Sequence, residues 1–319
     1  MIEIRNVSKR YGNHYAVKDV SFTAAPGEVL GFLGRNGAGK STTMNMITGY
    51  IPMTEGTITV DGWDVQADPF ECRQRIGYLP EIPPLYMDMT VEEYLRFCCD
   101  LRRVRSGMRD KHIRDLLGMT GLTQMRSRLI RNLSKGYRQR TGIAQALAGN
   151  PEVIILDEPT VGLDPTQMIE IRELIRSLKE EHTVILSSHI LTEIEEVCTR
   201  VVIINAGRVV LEDSMDHLRK QDARRLRIRL SAEPETALQV LRESPEVLRT
   251  EADPEGTFTI DLNPGEENME RLFWYLSGKK CPILMLTPEQ ETLESCFLHI
   301  TREELSAQNH EDGRKEDTP

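Results

Sequence analysis

The chain has 319 residues, of which 39% are hydrophobic and 28% charged, a composition typical of a globular protein of about two domains. No apolar run approaches the roughly 18 residues of a membrane span, and the first residues lack a signal-peptide core, so we expect a cytoplasmic protein. The net charge of −10 and the pI of about 5.4 argue against nucleic acid as the main partner.

Positive charge is concentrated in one part of the chain. The stretch from Arg102 to Arg140 contains 12 Lys and Arg against 2 Asp, although the whole chain is acidic. Two interpretations stay open: a solvated helical surface, or a positive field beside a nucleotide or an anionic partner.

The N-terminal residues predict two strands joined by a tight turn. Residues 2–7 indicate an edge strand, residues 16–22 alternate like a second strand, and Gly12-Asn13 marks the turn. Tyr11 either packs on the sheet or stacks on a purine through its ring face, and the sequence leaves both open.

A complete phosphate-binding motif follows. Residues 34–41 match G-x-x-x-x-G-K-[ST], after the apolar run 29–33 and before a predicted helix over 42–48. Backbone N–H groups of such a loop surround a polyphosphate, while Lys40 reaches the β- and γ-phosphates and Ser41 is a ligand for Mg²⁺. The predicted ATP-binding residues are Gly34, Arg35, Asn36, Gly37, Ala38, Gly39, Lys40, Ser41 and Thr42.

The middle of the chain predicts an inserted helical region. Residues 56–62 and 76–81 indicate short strands, and Thr90-Val91-Glu92-Glu93 is a capping box that opens a helix. Helical periodicity continues to about residue 148, with interruptions at Gly118 and Gly121. We therefore expect a helical subdomain over about residues 83–148.

Two acidic residues follow a fully apolar run. Residues 153–156 predict a strand buried on both faces, which implies a parallel sheet covered by helices. Asp157 at its end is expected to hold Mg²⁺, and Glu158 to act as general base toward the attacking water. A plainer interpretation is that Asp157 and Glu158 only cap a helix or form a surface pair. The P-loop upstream makes that interpretation less favoured.

The next elements continue the same alternation of strands and helices. Asp164-Pro165 predicts a helix start, residues 183–188 a buried strand that ends at His189, and residues 201–211 a hairpin. A lone histidine is usually a structural residue, but its place after this strand makes His189 a candidate for the site.

The C-terminal third predicts a separate module. Its pattern is β-α-β-β-α-β, typical of a ferredoxin-like fold, with a last helix expected over 289–300. We expect an ATPase domain over 1–220, an accessory α+β domain over 221–301 and a disordered charged tail over 302–319.

These motifs, in this order, resemble the ATP-binding subunits of ABC transporters, over residues 1 to about 215. The export-type branch of drug-efflux and gliding-motility subunits is the most similar, since it also carries a C-terminal extension. The matching blocks are Tyr11 as the adenine-stacking aromatic, the Walker A loop 34–41, Glu81 at the Q-loop, Leu133-Ser134-Lys135-Gly136-Tyr137 at the signature, Walker B at 154–158, the D-loop 162–164 and the switch histidine His189.

The resemblance implies a fold, a reaction and partners. The fold is an α/β P-loop ATPase with a parallel-sheet core, an antiparallel β edge, a helical subdomain and a small C-terminal α+β domain. Two subunits, in a homodimer or heterodimer, sandwich two ATP, with Ser134 and Gly136 acting on the partner's nucleotide and His189 contacting the γ-phosphate. Hydrolysis drives a separate membrane permease, so the subunit is peripheral on the inner face of the cell membrane.

Three residues depart from the family pattern. Glu81 replaces a glutamine, Lys135 the first signature glycine, and Tyr137 the signature glutamine. Glu81 either ligates Mg²⁺ and takes part in catalysis, or faces solvent and serves only the permease interface.

A second function stays open beside the exporter subunit: a soluble ABC ATPase that acts on nucleic acid or ribosomes. Such proteins carry long coiled coils or two ATPase cassettes, whereas this chain has one cassette and a short insert, so we favour the transporter.

Overall fold

The computed structural model describes residues 1–221, 225–253, 256–263, 265 and 267–288. The chain divides into two compact units, Met1–Ser214 and Met215–Pro319. The strands of the first unit are β1 (Ile2–Tyr11), β2 (His14–Ala24), β3 (Val29–Leu33), β4 (Glu55–Val60), β5 (Trp63–Asp64), β6 (Ile76–Leu79), β7 (Val153–Asp157), β8 (Thr183–Ser188), β9 (Arg200–Asn205) and β10 (Arg208–Ser214). Its helices are α1 (Lys40–Ile47), α2 (Pro69–Arg75), α3 (Val91–Leu101), α4 (Ser106–Met119), α5 (Lys135–Leu147), α6 (Pro165–Leu178) and α7 (Leu191–Val197).

A six-stranded sheet forms the centre of the first unit, in the order β10-β9-β3-β8-β7-β6. Its five strands from β9 to β6 are parallel, and only β10 is antiparallel to its neighbour. Every residue of β3, β7 and β8 is buried, as expected for strands covered by helices on both faces. The predicted parallel core is confirmed.

An antiparallel sheet packs beside this core, in the order β2-β1-β4-β5. The predicted edge position of the first strand is wrong, because β1 pairs with β2 on one side and with β4 on the other. Alternation of buried and exposed residues reveals a strand with one covered face, but it does not reveal how many neighbours the strand has. A core of apolar side chains from both sheets, with Phe22 and Phe32 in ring contact, joins the two layers.

Helices α3, α4 and α5, with two short 3₁₀ turns at Thr123–Met125 and Ile130–Asn132, form the inserted region between β6 and β7. The predicted capping box is present: Thr90 Oγ1 accepts from the N–H of Glu93, whose carboxylate accepts from the N–H of Thr90. Helix α4 ends at Met119, one residue after Gly118, and Gly121 has a positive φ of 67°, so the helical pattern is interrupted where we expected it.

The second unit contains a four-stranded antiparallel sheet with its own apolar core. Its elements are α8 (Met215–Gln221), β11 (Arg225–Leu230), α9 (Pro234–Arg242), β12 (Val247–Ala252), β13 (Phe258–Leu262), α10 (Glu267–Gly278) and β14 (Ile283–Pro288). From β11 to β14 the chain order is β-α-β-β-α-β and the sheet order is β12-β13-β11-β14, the ferredoxin-like arrangement. The helix expected over 289–300 and the tail 302–319 lie outside the described residues.

Within the described residues, no helix is both long enough and apolar enough to cross a membrane.

Candidate nucleotide-binding and hydrolysis site

The loop after β3 has a conformation that only glycine allows at key positions. Gly37 and Gly39 have positive φ values of 82° and 108°. A Cβ at Gly34 would lie 2.5 Å from the carbonyl oxygen of Ile204, and one at Gly39 would lie 2.7 Å from that of Ala16. The backbone of this loop is therefore packed tightly against neighbouring strands and turns.

Helix α1 begins directly after this loop, with Gly39 at the N-cap. No side chain caps the helix, and no acidic residue stands in its first turn. The N–H groups of a first turn have no partners within the helix, and they favour an anion together with the helix dipole. Lys40 is the first residue of α1, and its Nζ lies 2.6 Å from the carbonyl oxygen of Gly34.

The carboxyl ends of four neighbouring parallel strands bring the remaining site residues together. The P-loop follows β3, His189 follows β8, Glu158 follows β7 and Glu81 follows β6. Since β8 lies between β3 and β7, the switch histidine stands between the P-loop and the acidic pair. Ligands of open α/β sheets bind at this edge. A cleft of about 550 Å³ there is lined by His14, Ala16, Arg35, Asn36, Gly37, Gly39, Lys40, Ser41, Thr42, Glu81, Glu158, Val161 and His189.

Glu158 makes polar contacts with the other charged groups of the cleft. One carboxylate oxygen lies 2.8 Å from Nδ1 of His189, and the other lies 3.4 Å from Nζ of Lys40. The backbone of Glu158 has a φ of +50°, and its N–H donates to the carbonyl oxygen of Ser187 at 3.0 Å. A non-glycine residue in this conformation is strained, which is a common feature of catalytic positions.

Asp157 fits the role of a metal ligand. It is buried at the end of β7, and its Oδ1 has no hydrogen-bond partner in the described structure. A buried carboxylate oxygen without a partner costs free energy, which a cation at that oxygen offsets. Carboxylate and hydroxyl oxygens suit Mg²⁺, and Ser41 supplies a hydroxyl to the cleft. Asp157 itself is not among the residues that line the cleft, but it directly precedes Glu158, which is. Burial, and after it the charge of Asp157, raises the pKa of the neighbouring Tyr78, which keeps that hydroxyl neutral.

Glu81 lines the cleft but is exposed, in the loop between β6 and α3. Both interpretations of this residue, as a metal ligand and as an interface residue, are compatible with that position.

The signature residues lie away from the P-loop cleft of their own chain. Ser134 is the N-cap of α5, and its Oγ accepts from the N–H of Tyr137 at 3.4 Å. Gly136 packs so closely on Gln167 that a Cβ there would lie 2.5 Å from the amide oxygen. Neither Ser134 nor Gly136 lines the cleft around Lys40.

The expected adenine-stacking residue, Tyr11, is 52% exposed at the end of β1, and Nζ of Lys9 lies 5.2 Å from its ring centroid. The cleft is instead lined by His14 and Ala16, from the next strand of the same hairpin. Sequence reasoning missed these two residues, because they reach the P-loop through a sheet contact that no local motif indicates.

Comparison with known proteins gives a consistent result. The pattern of the family described as "ABC transporter" matches residues 17–161. The bacitracin transport ATP-binding protein BcrA of Bacillus licheniformis is 33% identical over 303 residues, which cover 94% of this chain and 97% of BcrA. The lantibiotic transport ATP-binding protein SrtF of Streptococcus pyogenes is 36% identical over 217 residues, which cover 68% of this chain and 92% of SrtF.

Solved structures agree with these relatives. A structure of an ATP-binding subunit of an ABC transporter superposes with a TM-score of 0.64 at 32% identity, covering 69% of this chain and 92% of that subunit. A dimeric post-hydrolysis state of the cassette MJ0796, bound to ADP and phosphate, superposes with a TM-score of 0.62 at 27% identity, covering 67% of this chain and 99% of the cassette.

The chain therefore belongs to the ATP-binding proteins of ABC transporters. It is the ATP-binding and ATP-hydrolysing subunit of such a transporter, and the predicted fold class and enzyme class are confirmed. The relatives support the transporter and not a soluble ATPase acting on nucleic acid or ribosomes.

Proposed function

We propose that this chain drives an exporter whose membrane-spanning permease is a separate polypeptide. The relatives named for bacitracin and lantibiotic transport support the export of an antibiotic-like compound or peptide, and the BcrA similarity extends into the C-terminal unit. The observation that carries the ATPase role is the group Lys40, Glu158 and His189 in one cleft beside the P-loop.

We further propose the role of each residue in the reaction. The N–H groups of the P-loop and Lys40 bind the β- and γ-phosphates. Ser41 and Asp157 would hold Mg²⁺, which neutralises charge on the phosphates when bound. Glu158 accepts the proton of the attacking water, and His189, at 2.8 Å, orients the Glu158 carboxylate and faces the γ-phosphate.

Completion of the site by a second cassette is part of the proposal. Ser134 is the N-cap of α5 and Gly136 lies in its first turn, and the N-terminus of a helix favours an anion. Both residues nevertheless lie outside the cleft of their own chain. In the proposed dimer they bind the γ-phosphate of the ATP held by the other subunit. That subunit is a second copy or a homologous cassette.

A surface for the permease is proposed next to β6, the strand that leads to Glu81. A cavity of about 610 Å³ includes Tyr50, Phe70 and Leu101, all exposed apolar side chains, of which Tyr50 is 81% exposed. Arg102 forms one wall and donates to the carbonyl oxygen of Ile76 at 2.6 Å. Exposed apolar patches of this kind mark protein interfaces. Docking there would place the subunit on the inner face of the cell membrane.

We also propose the functional division of the chain: an ATPase domain over residues 1–220 with a helical subdomain over about 83–148, and an accessory domain over 221–301. The apolar core of the second unit is its own, which supports a separate role in regulation or partner contact.

Co-purification tests the transporter assignment. We expect a gene that adjoins its own to encode a membrane protein of about six spans; the tagged chain is co-expressed with that protein, and the complex is purified in detergent. We expect the complex to form and its ATPase activity to depend on Mg²⁺. The variant Phe70→Asp should lose the complex while the isolated subunit keeps its ATP affinity, with Leu248→Asp, at an exposed apolar position of the second unit, as the matched control. An intact complex with Phe70→Asp would contradict the proposed permease surface.

A further inference from the structure

A buried carboxylate outside the nucleotide cleft links two loops of the site. Glu193, in α7, is 1% exposed. Its Oε1 accepts a hydrogen bond from Thr160 Oγ1, and its Oε2 accepts one from Ser188 Oγ at 2.9 Å. Thr160 and Ser188 are themselves buried. We name this arrangement, Thr160–Glu193–Ser188, the carboxylate bridge.

The two ends of the carboxylate bridge lie beside the two groups that contact each other in the cleft. Thr160 is two residues after Glu158, and Ser188 directly precedes His189. Ser188 Oγ also accepts from the N–H of Ile190 at 3.0 Å, so the turn that carries His189 is held from both sides. One carboxylate therefore fixes the loop after β7 relative to the loop after β8.

Stability alone does not account for a carboxylate at this position. Removing a charged group from water is unfavourable, and the two side-chain partners here are neutral hydroxyls rather than cations, although the position of Glu193 in the first turn of α7 offsets part of that cost. Apolar side chains of similar volume, in place of Glu193 and its hydroxyl partners, would fill the same space without the cost of removing a charge from water. What a carboxylate adds is two acceptors at a fixed spacing, one for each loop.

The backbone of Glu158 needs such support. Its φ of +50° is unfavourable for a non-glycine residue and persists only where neighbouring contacts enforce it. The N–H of Glu158 bonds Ser187, adjacent to Ser188, at 3.0 Å. The carboxylate bridge ties Thr160 to the same strand end, so both sides of Glu158 are anchored to β8.

We propose that Glu193 is a positioning residue for ATP hydrolysis. The carboxylate bridge holds the loop of Glu158 at the distance from His189 at which the two side chains stay in contact. Glu193 does not line the nucleotide cleft, so it acts through Glu158 and His189 rather than on the reacting atoms. This inference rests on the proposed roles of Glu158 and His189.

The test compares variants that keep or remove one hydroxyl. Thr160→Val has nearly the same shape as the native residue but lacks the donor, whereas Thr160→Ser keeps it. We expect Thr160→Val, Ser188→Ala and Glu193→Gln to lower kcat at least about 10-fold, since small displacements of reacting groups cost up to about 100-fold. KM for ATP should stay within about two-fold, and Thr160→Ser should retain most of the activity.

Two controls separate positioning from folding. Thr120→Val makes the same substitution at a buried threonine whose hydroxyl bonds Leu116, in the helical region. It should lower the melting temperature as much as Thr160→Val does and leave kcat unchanged. Because the bridge acts as a unit, Thr160→Val combined with Ser188→Ala should lose much less than the product of the two single effects.

Two results would overturn the inference: wild-type kcat in Thr160→Val and Ser188→Ala, or an equal loss in Thr160→Val and Thr160→Ser. Glu158→Gln, assayed in parallel, tells the two proposals apart. If Glu158→Gln is inactive while the bridge variants keep wild-type kcat, only the bridge is wrong. If Glu158→Gln keeps wild-type activity, the proposed site itself is wrong.

Discussion

Nζ of Lys40 lies 3.4 Å from Oε1 of Glu158, and the two side chains are only 6% and 8% exposed. The same ammonium lies 2.6 Å from the carbonyl oxygen of Gly34, inside the P-loop. The cation proposed for the phosphates and the carboxylate proposed as general base are thus direct neighbours. In the proposed reaction a bound phosphate would compete with Glu158 for the charge of Lys40, and nucleotide binding would then change the surroundings of the proposed base.

This contact predicts opposite effects of one substitution on binding and on catalysis. Glu158→Gln should lower kcat by about 10²–10⁴-fold, because the general base is lost. ATP affinity should be unchanged or higher, because an amide neither repels the phosphates nor competes for Lys40. Steady-state hydrolysis and equilibrium binding of a fluorescent ATP analogue measure the two effects. Glu152→Gln, at an exposed position before β7, is the matched control, and hydrolysis by Glu158→Gln within a few-fold of wild type would refute the assignment.

The position of Ser134 outside its own cleft predicts action on a partner. A Ser134→Arg chain should bind ATP with normal affinity and fail to form an ATP-dependent dimer with itself, because the bulky cation blocks the face opposite the γ-phosphate. A Lys40→Ala chain should instead lose ATP affinity, because a charge that faces two phosphates is removed. A mixture of the Ser134→Arg and Lys40→Ala chains should form dimers with at most one complete site each. Light scattering measures the dimer, and the ATP bound per dimer measures the number of complete sites. Loss of ATP binding in the Ser134→Arg monomer would contradict the sandwich.

Glu81 predicts a difference in metal dependence. A carboxylate binds Mg²⁺ more strongly than a neutral amide oxygen does, and it adds negative charge near Glu158. Glu81→Gln should keep activity but require more free Mg²⁺ for half-maximal hydrolysis, and Glu81→Ala should lose more activity. The exposed Glu55→Gln, in β4, serves as the control. Superimposable Mg²⁺ titrations of wild type and Glu81→Gln would leave only the interface role.

The second unit should be dispensable for nucleotide binding. Each unit has its own apolar core, and the residues that line the cleft end at His189. A fragment of residues 1–220 should therefore bind ATP with the affinity of the full chain, measured by the same fluorescent analogue. Circular dichroism during heating shows whether the fragment is folded. A folded fragment without ATP affinity would argue that residues beyond 220 complete the site.

The sequence by itself determined the elements whose signals are local. The P-loop, the capping box at Thr90 and the N-cap at Asp164 each depend on residue types at fixed spacing within one turn or loop. The wholly apolar run 153–156 in β7 was sufficient for a buried parallel sheet, because a strand covered on both faces cannot alternate. The class of ATPase followed from the resemblance carried by the P-loop, the signature block 133–137, the acidic pair after β7 and His189 in this order.

Only the tertiary structure decided which of these elements are neighbours. It placed β8 between β3 and β7, gave β1 a strand on each side, and brought His14 rather than Tyr11 to the cleft. It also joined Thr160 to Ser188 through Glu193, across 33 and 5 residues of sequence. Strand pairing and hydrogen bonds between loops connect residues that are distant in the chain. The free energy of these contacts depends on how the whole core packs. Such contacts therefore leave no periodic or local pattern in the sequence.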